Sequence, residues 1–495
     1  MALRLYSSLS RSVEEFVPLI PGQVRMYVCG MTTYDYCHIG HARAMMSFDL
    51  VYRWLRERGY AVTYVRNHTD VDDKIIARAL EVGEDPLALS NRFVDYLNED
   101  LDRAGILRPD VEPRVSTHIP EIIDMVSRLV ARGHAYAVEG DVYFRVLSFP
   151  TYGQLSGKRL DDLRAGERVD VDSRKEHPGD FALWKGAKAG EVAWDSPWGP
   201  GRPGWHIECS AMASRHLGEG FDIHGGGIDL IFPHHENEIA QSECATGHTP
   251  FARYWLHNGH LNVGEKMSKS LGNVIRIRDI LDQVPAEALR LLYFESHYRS
   301  PLPYSASRLT EALGAVDRIY TAREALEQMA AQPEGADAAT LVKEIGEAAS
   351  ELYSQATGFD QRFGEAMDED MNSARAVAAL YELVRAANRF CANPKWKKRG
   401  AALARLALPA FDLAGRVLGI GGRPAADWFN EVRVLRLRAA GRQASEVEEA
   451  LAAREAARAA KDWAAADVIR QQLADWGVLI MDGAQGTTWR MIISA

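Results

Sequence analysis

Residues 24–65 constrain this chain more than any other stretch: a run VRMYV (24–28), a loop, an amphipathic segment and a second run AVTYV (61–65). The two runs are β-branched and aromatic, and read as buried strands. Between them Met45, Phe48, Val51, Tyr52 and Leu55 recur at three- and four-residue steps and Gly59 closes the pattern, which predicts a helix. Strand, loop, helix, strand is a βαβ unit, so the expected class is α/β with a doubly wound, Rossmann-like parallel sheet. In such a sheet the loop after the first strand receives a nucleotide's phosphates. Here that loop carries Cys29, Gly30, His38, Gly40 and His41, with both histidines where the helix begins. A helix start already offers free N–H groups and positive potential. Two imidazoles add donors, and Gly40 allows close approach.

At 495 residues the chain exceeds one core and should divide into several domains. The nucleotide fold is expected over 1–118 and again over 200–272. It is split by an insertion, 119–199, that contains a hairpin around Glu139 and Gly140. A connecting segment (273–310), a bundle of three or four amphipathic helices (311–425) and a compact α+β tail (430–495) follow, with Gly421, Gly422 and Pro424 marking a linker. The net charge of −10 does not advertise a nucleic-acid binder, so any RNA would be held by local basic patches. No apolar run approaches the roughly 20 residues of a membrane span, and Glu14 and Glu15 argue against a transit peptide. The expectation is a cytoplasmic protein without membrane contact. Five widely spaced cysteines (29, 37, 209, 244 and 391) point to ligands or buried thiols rather than disulfides.

A second motif follows more than two hundred residues after the first: KMSKS (266–270), flanked by Gly264 and Gly272. HIGH after a first strand together with KMSKS on a later loop resembles the motif pair of class I aminoacyl-tRNA synthetases. Either motif alone is weak; the pair in this order is specific.

Cys29, Cys209, His234 and Glu238 form a candidate metal set. Cys29 ends the first strand, and His234 and Glu238 stand four apart on a predicted helix, hence on one face. Two thiolates, an imidazole and a carboxylate suit Zn²⁺. With no CxxC present, spacing by itself favours two inert buried cysteines and a solvated helix face over a metal site. His235, Glu236 and Glu208 are rival ligands, and the four-residue step does not exclude a site centred on His235. The blocks WHIECSAM (205–212) and HGGGIDLIFPHHENE (224–238) resemble those of the cysteine-tRNA synthetase family. That resemblance implies one Zn²⁺ on Cys29, Cys209, His234 and Glu238.

The same resemblance implies ATP-dependent attachment of L-cysteine to tRNA through an adenylate. His38 and His41 would hold phosphate oxygens. Lys266 and Lys269, with Mg²⁺, would neutralise charge on the leaving phosphates. Gly40, Gly226 and Gly227 would let ATP approach, and Gly30, Thr69, Trp205 and Asp229 would surround the substrate cysteine. The tail resembles the anticodon-reading module of the bacterial enzymes, and a monomer is expected. Zinc–thiolate selection would make editing unnecessary, in keeping with the short insertion. Two other readings are a ligase joining activated cysteine to a small amine such as an aminosugar-inositol, and a non-catalytic zinc-stabilised RNA-binding protein. The first has no use for residues 430–495; the second has no use for His38, His41, Lys266 and Lys269.

Overall fold

Four parallel strands, in the lateral order Ala252–Asn258, Phe221–Gly227, Gln23–Val28 and Ala61–Arg66, form the sheet on which the site is built. The computed structural model describes residues 2–158, 173–188, 190–263, 274–333, 335–396, 398–483 and 486–493. Lys266, Lys269 and the glycines beside them therefore lie outside the described residues. From Gln23–Val28 the chain steps outward to Ala61–Arg66, then returns to the other side for Phe221–Gly227. The winding reverses between Gln23–Val28 and Phe221–Gly227. A crevice opens at the carboxyl ends of strands at such a reversal, which is where ligands bind in α/β sheets.

The helix Ile39–Glu57 covers one face, burying Met45, Phe48, Val51, Tyr52 and Leu55 as the periodicity requires. The three glycines 225–227, which look like a turn in sequence, are the end of the strand Phe221–Gly227. A Cβ on Gly225 would enter the Phe48 ring, so the strand is glycine-rich because a helix lies against it. The stretch 254–263, which reads as one strand, stops at Asn258; Leu261–Asn262 pairs separately with Leu302–Pro303. An antiparallel hairpin, Arg4–Ser7 with Ser12–Glu15, precedes the sheet without any sequence expectation for it.

In the insertion, Ala135–Val138 and Asp141–Phe144 form the expected hairpin. Its turn residues Glu139 (φ 49°) and Gly140 (φ 88°) are both left-handed, matching the twist of the strands. Phe181–Gly186 and Gly201–Pro203 extend this sheet, so it reaches past residue 199. Leu183 and Trp184 share a core with Ile207 and Met212 of the helix Trp205–Leu217.

The bundle has six helical segments among the described residues of 306–418, more than the three or four expected. Short turns at Gly346 and Gly358 divide what periodicity alone would join. The Pro-, Gly- and Asp-containing stretch 332–337, which reads as a break in the sequence, falls between Ala306–Ala330 and Ala338–Ile345. One apolar core runs from Met26 and Phe48 to Leu383 and Phe411, and the buried ion pair Arg290–Asp49 (2.6 Å) crosses it. Helices Ala444–Ala459 and Trp463–Asp475 and the hairpin Val478–Gly483 with Gly486–Met491 close a smaller core around Val447, Leu451, Leu473 and Trp489. Among the described residues no helix is long and apolar enough to cross a membrane.

Candidate active site and metal centre

The crevice at the strand reversal is a cavity of about 470 Å³. Its floor is the turn out of Gln23–Val28, held by Cys29 N donating to Gly225 O (3.0 Å) and Gly30 N donating to Asn67 Oδ1 (2.9 Å). Gly30 has no alternative there, because a Cβ would overlap the Asn67 carbonyl. The turn is laced further to residues 67–69 by Thr69 N to Met31 O (3.3 Å) and Thr33 N to Thr69 O (3.1 Å).

Cys29 lines one end of the cavity, and Cys209, His234 and Glu238, which do not line it, each bring one donor atom to within 4.8 Å of its sulfur and of one another. The helix Trp205–Leu217 delivers Cys209 from the start of its second turn. PHHENEIAQSECATG (233–247) reads as one helix, but Phe232 is extended (φ −139°, ψ 131°) and the regular helix begins only at Glu236. His234 and Glu238 nonetheless meet across one turn, Nε2 to Oε1 3.1 Å. Cys29 Sγ lies 3.6 Å from Cys209 Sγ, 3.6 Å from His234 Nε2 and 3.4 Å from Glu238 Oε1. Ligands bound at about 2.0–2.3 Å on a tetrahedral Zn²⁺ would stand roughly 3.3–3.8 Å apart. The donor set therefore fits such an ion.

Electrostatics favour a cation in the same place. Burial works against ionising Glu238, but His224 and His234 outweigh it and hold its carboxyl well below the usual carboxylate range. The contact from Cys29 draws the Cys209 thiol down to about 6 against the effect of burial. Burial, then the Cys209 and Glu238 charges, push Cys29 upward. Burial opposes protonation of His234, yet Glu238 and Cys209 raise its imidazole to about 10. A thiolate and a carboxylate are thus buried together with a proton on His234 as their near counter-charge, the environment a divalent cation would take over.

His234 and Glu238 are each held from behind. His224 Nε2 is 2.9 Å from Glu238 Oε2, and its ring stacks on Trp255 at 4.4 Å. His206 Nδ1 is 3.0 Å from His234 Nδ1, turning Nε2 of His234 toward the sulfurs. Trp205 lies over the His234 ring (4.3 Å, 24°) and lines the cavity. Sequence reasoning passed over His206 and His224. The only trace of them is a histidine beside a candidate ligand in WHIEC and another inside a predicted strand.

The rival ligands separate. Glu236 is fully buried and turned away, accepting from Gly153 N (2.9 Å) and Ser156 N (2.8 Å) of the insertion. Burial, then Cys209, Asp72 and Asp70, push the Glu208 carboxyl well above its usual range, and it belongs to neither ligand grouping. His235 does form an overlapping grouping with Cys29, His224 and Glu238. Its Nδ1 is 2.8 Å from His257 Nε2, while its buried Nε2, 3.9 Å from Glu238 Oε1, faces that second grouping, so His235 stays a rival to His234.

The other end of the cavity belongs to the helix start. His38 is the N-cap, its Nδ1 accepting from Gly40 N (3.1 Å) and His41 N (3.3 Å), which places its ring proton on Nε2. The His38 and His41 rings stack at 3.5 Å. Both line the cavity with Gly40, as do Gly30, Gly227 and Asp229. Gly226 does not line it; a Cβ there would press on His235 and Leu230. Thr69 also stands behind the wall, buried, with its hydroxyl accepting from Asn67 Nδ2 (3.2 Å).

Comparisons with known proteins agree with one another. Residues 15–314 match the family model described as tRNA synthetases class I (C) catalytic domain, 362–420 the DALR domain and 442–490 the cysteinyl-tRNA ligase anticodon binding domain. The cysteine–tRNA ligase of Geobacter sulfurreducens is 50% identical over 493 residues, covering 99% of this chain and 100% of the relative. That of Alkalilimnicola ehrlichii is 52% identical over 491 residues, 99% of each chain. In fold, the chain is similar to Mycobacterium tuberculosis methionyl-tRNA synthetase in complex with methionyl-adenylate, with a TM-score of 0.61 at 16% identity over 86% of this chain and 95% of that one.

Proposed function

The chain belongs to the cysteine–tRNA ligase family, and on that premise we propose that it activates L-cysteine with ATP and transfers it to tRNA, a bound Zn²⁺ selecting the thiol. The observation that carries this reading is the convergence of two thiols, an imidazole and a carboxylate behind a cavity that Cys29 lines together with the His38–His41 helix start. A zinc ion held by Cys29, Cys209, His234 and Glu238 would supply a soft Lewis acid that takes sulfur as thiolate and leaves a serine hydroxyl weakly bound. Shape alone separates such near-isosteres by only about 1–3 kcal/mol.

The remaining work falls to the chain's own groups. Trp205 walls the amino-acid end, Asp229 offers a carboxylate to an ammonium or a ribose hydroxyl, and Gly30 keeps the floor low. Thr69 acts through Asn67 on that floor. A carboxylate is already a nucleophile toward the α-phosphate, so adenylate formation needs positioning and charge stabilisation rather than a protein base. His38 and His41 give donors at the helix start, and Gly40 and Gly227 leave room for the nucleotide. Gly226 serves the packing beneath it. Lys266 and Lys269 meet the leaving phosphates, where Mg²⁺ would add positive charge. The partners are L-cysteine, ATP and tRNA, and the enzyme acts as a cytoplasmic monomer.

Transfer to tRNA rather than to a small amine is supported by the match of 442–490 to an anticodon binding domain. The test is cysteine-dependent ATP–pyrophosphate exchange followed by charging of total tRNA. Exchange with charging is expected. Exchange without charging would favour the small-amine ligase, and absence of both would leave only a non-catalytic RNA binder.

A further inference from the structure

We propose that Arg43 is a positioning residue for the nucleotide end of the cavity, fixing the wall formed by residues 258–261 against the helix start that carries His38 and His41. This rests on the reading above. Arg43 lies one turn into Ile39–Glu57 and is only 1% exposed. Among the described residues its guanidinium meets no carboxylate. It donates to backbone carbonyls instead: Nε to Gly259 O (3.2 Å), and Nη2 to Ser300 O (2.6 Å), Tyr298 O (3.3 Å) and His297 O (3.5 Å). Burial draws its pKa down to about 10.

The carbonyls it gathers belong to two chain segments that cross closely. Gly259 N donates to Tyr298 O (2.9 Å), and a Cβ on Gly259 would overlap Arg299 O and stand 2.6 Å from Ser300 O. Asn258 Nδ2 donates to the same Gly259 carbonyl (3.2 Å). Asn258, Gly259, His260 and Leu261 all line the cavity, as do His38 and His41. The far side of the crossing is anchored as well: Asp370, itself buried, accepts from Tyr298 Oη (3.1 Å) and Arg299 Nε (2.7 Å). One planar fork thus joins the phosphate-facing helix to a second cavity wall. A lysine, with its single ammonium, cannot reproduce that span.

The test is ATP–pyrophosphate exchange by the full chain as wild type, Arg43→Lys and Gly259→Ala, with zinc content and Tm measured alongside. Arg43→Lys should raise the KM for ATP roughly tenfold, the equivalent of about 1.4 kcal/mol or one charge-assisted hydrogen bond. The KM for cysteine and the zinc content should stay at the wild-type level. Gly259→Ala, which opens the same crossing from its other side, should give the same split, and it decides the matter if Arg43→Lys does not fold. An unchanged ATP KM in an active variant overturns the proposal. So does a rise of both KM values together with loss of zinc, since that is the signature of general loosening. A wild type without cysteine-dependent exchange would instead overturn the parent reading.

Discussion

The two ends of the cavity are built differently. At the sulfur end three of the four donors are buried and braced by a second side chain: His206 behind His234, His224 behind Glu238, Asn67 beneath Cys209 (3.7 Å). At the nucleotide end the construction is largely main chain: the first turn of a helix, a histidine cap and glycines. The difference follows from the two tasks. Telling sulfur from oxygen requires fixed ligands of the right softness. Holding a polyphosphate requires many donors and space, which a helix start gives largely from its main chain, with a few side chains adding to it.

Substitutions can break this contrast, and they rank by size. Cys209→Ser removes a ligand and should lower bound zinc and cysteine-dependent exchange by more than roughly 100-fold, the upper end of what losing a partner one bond further out costs. Metal analysis with exchange kinetics checks it. Lys269→Ala should lower adenylate formation by roughly 100-fold while zinc content stays at one per chain. Retained exchange would remove the role assigned to that lysine. His224→Phe should weaken zinc by roughly tenfold, read by competition with a chromogenic chelator, because Glu238 then loses the imidazole that orients it. Smallest of all, His38→Ala should cost about 1 kcal/mol of stability in a thermal melt, the usual value of a helix cap. Its larger loss should appear in the KM for ATP.

Legibility in the sequence divides along the same line. The helix start could be read because its signals are local: alternating strand residues, a helical stripe and two histidines within a few residues of each other. The ligand set could be read only through resemblance, since Cys29, Cys209 and His234 meet solely in three dimensions. The bracing residues were lost for that reason too. Nothing around His206 or His224 announces that either faces a ligand. Gly225, Gly226 and Gly227 misled for a physical reason, because glycine reads as a turn unless one knows that Phe48 occupies the space a Cβ would need. Thr69 and Gly226 were expected at the ligand surface and lie one layer behind it, a distinction of a few ångströms that no spacing encodes. The helical bundle was legible in kind and not in count, because single residues such as Gly346 and Gly358 end its helices.

The central claim is that a metal chooses the amino acid by its sulfur. Its most direct test is the zinc content of the purified full chain together with its pyrophosphate exchange on cysteine and on serine. One zinc per chain with exchange confined to cysteine is the predicted result; zinc-free protein that activates serine as readily would contradict it.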